Sequence, residues 1–241
     1  MPFRRVSVRA AAGVDKPPRA PSQTDGSGTF SIATWNIRNG RNGGLESSCR
    51  ALEALDVDIA VLQETKLTGG IHTRFSCGYA IVATDAPSVH KGGIALCVRE
   101  NDAFEVEETK IWHPNVLSFE LHTGGDRYFV VGCYIPPDDL APLNYIKQAW
   151  ENCPQGCTPL LIGDMNIDLE YPRDERDEKV AEQCDFWNLT NMSQQFSQHC
   201  RHRTQRRWTW RQQDLGRWDQ SHPDYFLARE GTRGIFKDVS L

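Results

Sequence analysis

The 241-residue sequence has no apolar run of membrane-spanning length and no apolar core of a secretory leader. The first absence argues against a transmembrane helix and the second against secretion, so a soluble, intracellular chain without a membrane partner is expected. Net charge is also scarce: 27 Lys and Arg against 32 Asp and Glu leave a formal −5. So mild a balance does not mark the whole chain as a nucleic-acid binder, and local charge carries more information. Without secretion, the eight cysteines are not read as a disulfide framework. Cys97 and Cys133 fall inside apolar runs, and Cys49 and Cys184 fall on expected helix faces, the ordinary places of a small buried hydrophobe. For the same reason the acceptor triplet Asn188-Leu189-Thr190 is set aside. Cys153 and Cys157 with the distant His199, Cys200 and His202 are too loosely spaced for a zinc site.

What is present is enough for one catalytic-size α/β domain, since 39% of the residues are hydrophobic and a chain of this length buries a substantial core. Residues 1–29 stand apart. They are rich in Arg, Ala, Pro, Gly and Ser with no apolar period, and are expected to be a disordered basic tail. Arg4, Arg5 and Arg9 leave a transit peptide or a nucleic-acid-contacting arm arguable, with a plain solvated leader the simplest reading. Residues 30–241 form the expected domain.

Thr158 to Asp168 organises that domain. Leu160, Leu161 and Ile162 read as a buried strand, Gly163 permits a close turn, and Asp164 and Asn166 follow. On extended chain, side chains two apart point the same way, so the pair is expected to face one ligand. A carboxylate and an amide so placed suit water activation, although Gly-Asp turns after buried strands are common. Phe30 to Ile37 reads as a strand ending at Asn36. Leu45, Cys49, Leu52 and Leu55 then recur at helical spacing and predict one buried helix face. Val57 to Leu62 is a further strand, after which Glu64 emerges, because an ionised carboxylate is costly in a core.

Gly92 to Val98 and Val116 to Leu121 predict framework strands, the second alternating with period two. Arg127 to Ile135 predicts another, carrying Tyr134 near its end and stopped by Pro136-Pro137. Pro142 fits the first turn of a helix with Leu143, Ile146 and Trp150. Val180, Cys184 and Trp187 mark a second helix after a charged lead-in. Four strands therefore end in Asn36, Glu64, Tyr134 and the Asp164/Asn166 pair. Open α/β sheets bind ligands at the carboxyl ends of their strands. Carboxylates, amides and a phenol, with no Cys or His among them, suit a hard oxygen-liganded cation such as Mg²⁺, with Mn²⁺ as a substitute. A phosphoester is the natural substrate of such a site.

Thr34-Trp35-Asn36-Ile37, Leu62-Gln63-Glu64-Thr65-Lys66, Gly132-Cys133-Tyr134-Ile135-Pro136-Pro137, Gly163-Asp164-Met165-Asn166 and Asp224-Tyr225-Phe226 resemble, in order, the motifs of the endonuclease/exonuclease/phosphatase superfamily. Within it, Tyr-Ile-Pro-Pro, the Gly-Asp-Met-Asn-Ile-Asp-Leu run and Arg207-Trp208-Thr209-Trp210 look most like the apurinic-type endonuclease domain of LINE-class non-LTR retrotransposons. The resemblance covers about residues 30–241. It implies a four-layer α/β sandwich of two mixed sheets flanked by helices, and Mg²⁺-dependent cleavage of a DNA phosphodiester by a monomer. A fused reverse transcriptase in a longer parent and access to nuclear DNA are further implications. Carried over by position, Glu64 would be a metal ligand with Asn36 beside it. Asp164 would align or deprotonate the attacking water, and Asn166 would hold the phosphate or Asp164. Tyr134 would contact the scissile phosphate, and Asp224 would orient a catalytic histidine.

That histidine is where the sequence departs from the pattern. The family closes with a Ser/Thr-Asp-His strand expected shortly after Gly234 to Leu241, and none occurs in these residues, so the domain is read as C-terminally incomplete. Losing one group that stabilises the transition state costs roughly a hundredfold to ten-thousandfold in rate. His222, two residues before Asp224, is a poor substitute because Pro223 limits ladder pairing there. Gln198 to Arg211 holds five arginines and no acid, interleaved with Trp208 and Trp210. Arg206, Arg207, Trp208 and Trp210 are therefore candidate DNA contacts through phosphate pairing and base stacking, with solvated arginines around core tryptophans the alternative. Two rivals to a nuclease remain: a non-catalytic retrotransposon remnant that keeps metal or DNA affinity, and a small-molecule phosphatase on the same scaffold.

Overall fold

The computed structural model describes residues 5–6, 30–100, 104–192, 210–214, 217–221, 224–229 and 232. Strand β1 (Arg5–Val6) pairs antiparallel with β7 (Glu105–His113), so two residues of the expected tail add to a sheet edge. β2 (Ile32–Asn36) and β3 (Ile59–Gln63) are parallel neighbours connected through α1 (Gly44–Ala54). β4 (His72–Ser76), β5 (Tyr79–Ala83) and β6 (Ile94–Arg99) complete a five-stranded sheet in the order β2-β3-β6-β5-β4.

The second sheet runs β1-β7-β8-β9-β10-β14-β11, with β8 (Val116–Thr123), β9 (Asp126–Tyr134), β10 (Thr158–Asp164), β11 (Leu189–Asn191) and β14 (Asp224–Arg229). Its β9–β10 pair is parallel and the others are antiparallel, so both sheets are mixed. Helices α2 (Ala141–Glu151) and α3 (Glu175–Phe186) belong to this half, and β12 (Trp210–Asp214) pairs with β13 (Arg217–Ser221) as a separate ribbon. Among the described residues no helix is long and apolar enough to cross a membrane.

Period-two alternation explains how two sheets and three helices make four layers. In β3, Ile59 and Val61 face the second sheet, packing with Leu117, Phe119, Val130 and Ile162, whereas Ala60 and Leu62 face α1 through Leu45, Cys49 and Leu52. In β9, Val130 joins the sheet-to-sheet core, while Phe129, Val131 and Cys133 meet Ile146, Trp150, Val180 and Trp187 of the helix side. Each central strand is thus apolar on both faces, as strands covered on both sides must be.

That double cover overturns one expectation. β8 does not alternate between core and solvent, because every residue except His122 is buried. Its polar positions are satisfied instead: Ser118 accepts from Trp112 Nε1 at 2.9 Å and Glu120 accepts from Arg127 at 2.9 Å. Leu55 is a second correction. It follows the last turn of α1 and is 74% exposed, while Leu45, Cys49 and Leu52 form the buried face. Cys49, Cys97, Cys133 and Cys184 are free and buried in the apolar layers, as their sequence positions suggested.

Tyr225 ties β14 to the loop after β10. Its hydroxyl accepts from Leu169 N at 2.8 Å and donates to Ile167 O at 3.4 Å, with the ring 2% exposed. Tyr225→Phe strands a backbone N–H and is expected to cost about 1–3 kcal/mol, read as a lower urea midpoint at unchanged m-value.

Candidate active site

Both sheets send the same end of their strands into one cleft of about 790 Å³, lined by residues from β2, the turn after β3, the segments after β9 and β10, the start of α3, and Asp224. Strand direction explains the convergence. β2, β3, β9 and β10 deliver their carboxyl ends here, and β14, antiparallel to β10, delivers its first residue. The register sets Asp164 opposite both Tyr134 and Asp224.

The polar groups then form one linked set. Asn36 Nδ2 donates to Asp164 Oδ2 at 2.6 Å and to Glu64 Oε1 at 3.0 Å. The Tyr134 hydroxyl donates to the same Glu64 Oε1 at 2.9 Å. Asn166 N donates to Asp164 Oδ1 at 2.9 Å, so both carboxylate oxygens of Asp164 are held. Asn36, Glu64, Tyr134, Asp164, Asn166 and Asp224, singled out from separate parts of the sequence, are therefore neighbours.

How Asn166 arrives differs from expectation. The chain after Asp164 is not extended: Asn166 has φ +49°, and its backbone N–H bonds the Asp164 side chain across two residues. Asn166 and Asp164 share the cleft through an Asx turn rather than a strand face. Gly163 is likewise inside β10 rather than in a turn, at φ 150°. Arg38, Glu64 and Lys66 join Asn166 in the left-handed region around this cleft, conformations that cost non-glycine residues roughly 1–2 kcal/mol each and cluster at functional sites.

Charge at the site is unbalanced. Asp164 is 3% exposed, and burial, then the nearby Asp224 charge, pushes its carboxyl up to about 7 despite the bonds from Asn36 and Asn166. Glu64 goes the other way: burial alone would raise it, but hydrogen bonds from Lys66, Asn36 and Tyr134 hold it below its ordinary value. Burial and the adjacent Glu64 raise Tyr134, which stays a protonated phenol at neutral pH.

Two contributors were passed over in the sequence. Lys66 Nζ lies 2.7 Å from Glu64 Oε2, although it stands in the same quoted motif two residues on. Arg176 lines the cleft from α3 amid an acidic lead-in that reads as solvated surface. Of the candidate DNA contacts, Arg206, Arg207 and Trp208 lie outside the described residues, as do His199, Cys200, His202 and His222, and Trp210 opens β12.

The donors suit a hard cation. Glu64 and Asp164 present carboxylate oxygens, and the Asp164 carboxyl, raised first by burial and next by the Asp224 charge, is one that a neighbouring cation would lower. Among the described residues no three His, Cys, Asp or Glu side chains are grouped to hold a metal ion.

No family model matches the sequence, and no curated protein matches it. Solved structures do match in fold. The endonuclease domain of TRAS1, a telomere-specific non-LTR retrotransposon, has TM-score 0.57 at 17% identity, covering 84% of this chain and 86% of that one. An AP endonuclease from Archaeoglobus fulgidus has TM-score 0.58 at 16% identity, covering 86% and 89%. TDP2 of D. rerio, solved with single-strand DNA product, has TM-score 0.56 at 15% identity, covering 84% and 85%. The fold is shared with these proteins and with an endonuclease/exonuclease/phosphatase family protein from Leptotrichia buccalis C-1013-b, at TM-score 0.55 and 12% identity over 84% of this chain and 88% of that one, in agreement with the order of the sequence motifs.

Proposed function

We propose that this chain hydrolyses DNA phosphodiesters as a Mg²⁺-dependent nicking endonuclease. The observation that carries the reading is the hydrogen-bonded set Asn36–Glu64–Tyr134–Asp164–Asn166 with Asp224 beside it, at the shared strand ends of a fold found in DNA-cleaving proteins. Asp164, with a carboxyl at about 7, is matched to accept a proton from attacking water near neutral pH. Asn36 and the Asn166 N–H fix its two oxygens. Glu64, with Asn36 through its Oδ1, which here accepts from Arg38 N at 2.9 Å, would hold Mg²⁺, which when bound would polarise a phosphoryl oxygen and stabilise its developing charge. Tyr134 and Asn166 face the phosphate in this reading, and Arg206, Arg207, Trp208 and Trp210 supply DNA contacts.

A second reading, a chain that keeps the pocket and DNA affinity without turnover, is favoured by one feature. Among the described residues lining the cleft none is a histidine, the group the resemblance assigns to transition-state stabilisation. Nicking of supercoiled plasmid by residues 1–241, with Mg²⁺ and with chelator, decides between them. The nuclease reading expects open-circle product in Mg²⁺ only, falling at least about a hundredfold in Glu64→Gln. Folded, DNA-binding protein that never nicks overturns it in favour of the second. Product in chelator, or from Glu64→Gln at the wild-type rate, removes Glu64 from the metal role.

A further inference from the structure

Arg176 is the second residue of α3, yet most of its guanidinium bonds leave the helix. It reaches across to four backbone carbonyls: Nη1 donates to Asn166 O at 2.9 Å, and Nη2 to Pro136 O at 2.9 Å, Met165 O at 3.2 Å and Ile135 O at 3.4 Å. Nη1 also lies 3.2 Å from Asp177 Oδ1, and the side chain is only 16% exposed. Asp177 is itself locked, accepting from Arg173 N at 3.2 Å, with its own N–H donating to Asp174 Oδ1 at 2.9 Å in the helix cap.

These carbonyls belong to two turns that continue the paired strands β9 and β10, which are joined directly at Ile135 N, donating to Asp164 O at 2.9 Å. Ile135 and Pro136 follow Tyr134 at the end of β9, and Met165 and Asn166 follow Asp164 at the end of β10. Ile135 O also accepts from Asn166 Nδ2 at 3.1 Å. The left-handed backbone of Asn166 is thus pinned by its side chain on one side and by Arg176 at its carbonyl on the other. Only a planar fork with donors in fixed directions can bridge two turns this way, and a lysine ammonium on a flexible stem cannot.

We propose that Arg176 is a positioning residue that staples the Asn166 turn to the Ile135–Pro136 turn and so sets where the Asn166 amide stands relative to Asp164 and Tyr134. Its catalytic consequence rests on the phosphodiester-cleavage reading, but the staple itself does not. Misplacing a reacting group by an ångström costs up to about a hundredfold in rate. The expected effect is therefore on kcat, with KM for DNA little changed, because Arg176 is committed to carbonyls rather than to substrate.

The test uses the full chain and two variants, Arg176→Lys and Arg176→Ala, held well below their unfolding midpoints. The primary readout is the ¹⁵N side-chain amide NMR signal of Asn166, assigned by its loss in Asn166→Asp. The staple expects that signal to shift or broaden in folded Arg176→Lys and Arg176→Ala, and to return toward the wild-type position when millimolar guanidinium is added to Arg176→Ala. An Asn166 signal unmoved in folded Arg176→Lys overturns the proposal, whatever the change in stability. If the wild type nicks, kcat of Arg176→Lys is expected to fall about tenfold to a hundredfold at near-constant KM, and an unchanged kcat overturns the positioning role. If the wild type does not nick, the cleavage reading fails while the NMR result still decides the staple.

Discussion

Asp164→Asn is expected to abolish Mg²⁺-dependent nicking, with a loss of roughly a hundredfold to ten-thousandfold, while the protein stays folded. The amide matches the carboxylate in size and can still accept from Asn166 N, but it cannot take a proton from water. The bond from Asn36 Nδ2 at 2.6 Å becomes a donor–donor contact that costs about 1 kcal/mol. Removing a buried carboxylate beside Asp224 and Glu64 offsets that cost above neutrality.

The sign follows from the raised carboxyl, at about 7 against an ordinary 3.8. Below 3.8 the group is protonated in folded and unfolded chains alike, and its stabilising effect relative to the ionised form is present in full. Between 3.8 and about 7 only the folded chain keeps the proton, so stability falls as pH rises and the loss is complete above about 7. At about 1.4 kcal/mol per pKa unit, the loss is on the order of 4 kcal/mol. The difference in unfolding free energy between wild type and Asp164→Asn, measured from pH 4 to pH 8, is expected to move steadily in favour of the variant. A difference flat across that range sinks the assignment of a raised carboxyl to Asp164. On the proposed Mg²⁺ site at Glu64 and Asn36, the nearby cation would disfavour that proton, so Mg²⁺ is expected to raise the wild-type melting temperature more at pH 8 than at pH 5.

Gly163→Ala is expected to cost about 3 kcal/mol or more. A Cβ at this position would stand 2.0 Å from Cys133 O and 2.8 Å from Cys133 C, and both are backbone atoms of the paired strand. No side chain can swing aside to make room. β10 would have to leave β9 at the register that sets Asp164 beside Tyr134, so nicking should fall together with stability. Urea unfolding checks this, and a cost under about 1 kcal/mol would show that the two strands can part there without penalty.

Gly163 also shows how far a sequence can be read. Its presence before Asp164 suggested a turn, because glycine usually marks one; here the same freedom serves a close strand-to-strand approach, and only the neighbour β9 reveals it. β8 misled in a related way. Ser118 and Glu120 lent it an alternating look, and partners on other strands let them be buried. β4, β5 and β7 are not legible in the sequence; β4 and β7 carry exposed polar residues, which weaken the apolar signal.

By itself the sequence determined the buried strands β3, β9 and β10, the apolar faces of α1 and α2, and the residues Asn36, Glu64, Tyr134 and Asp164 that end strands, because apolar periodicity and the cost of burying charge act locally along the chain. Only the tertiary structure decided that these ends meet, that Asp164 stands opposite Asp224 with its carboxyl pushed to about 7, and that Lys66 and Arg176 belong to the same site. Those properties depend on distances between residues up to 128 positions apart, and on burial that no single segment creates. They come into being when the two sheets pack together and expel water from between the groups at their shared end.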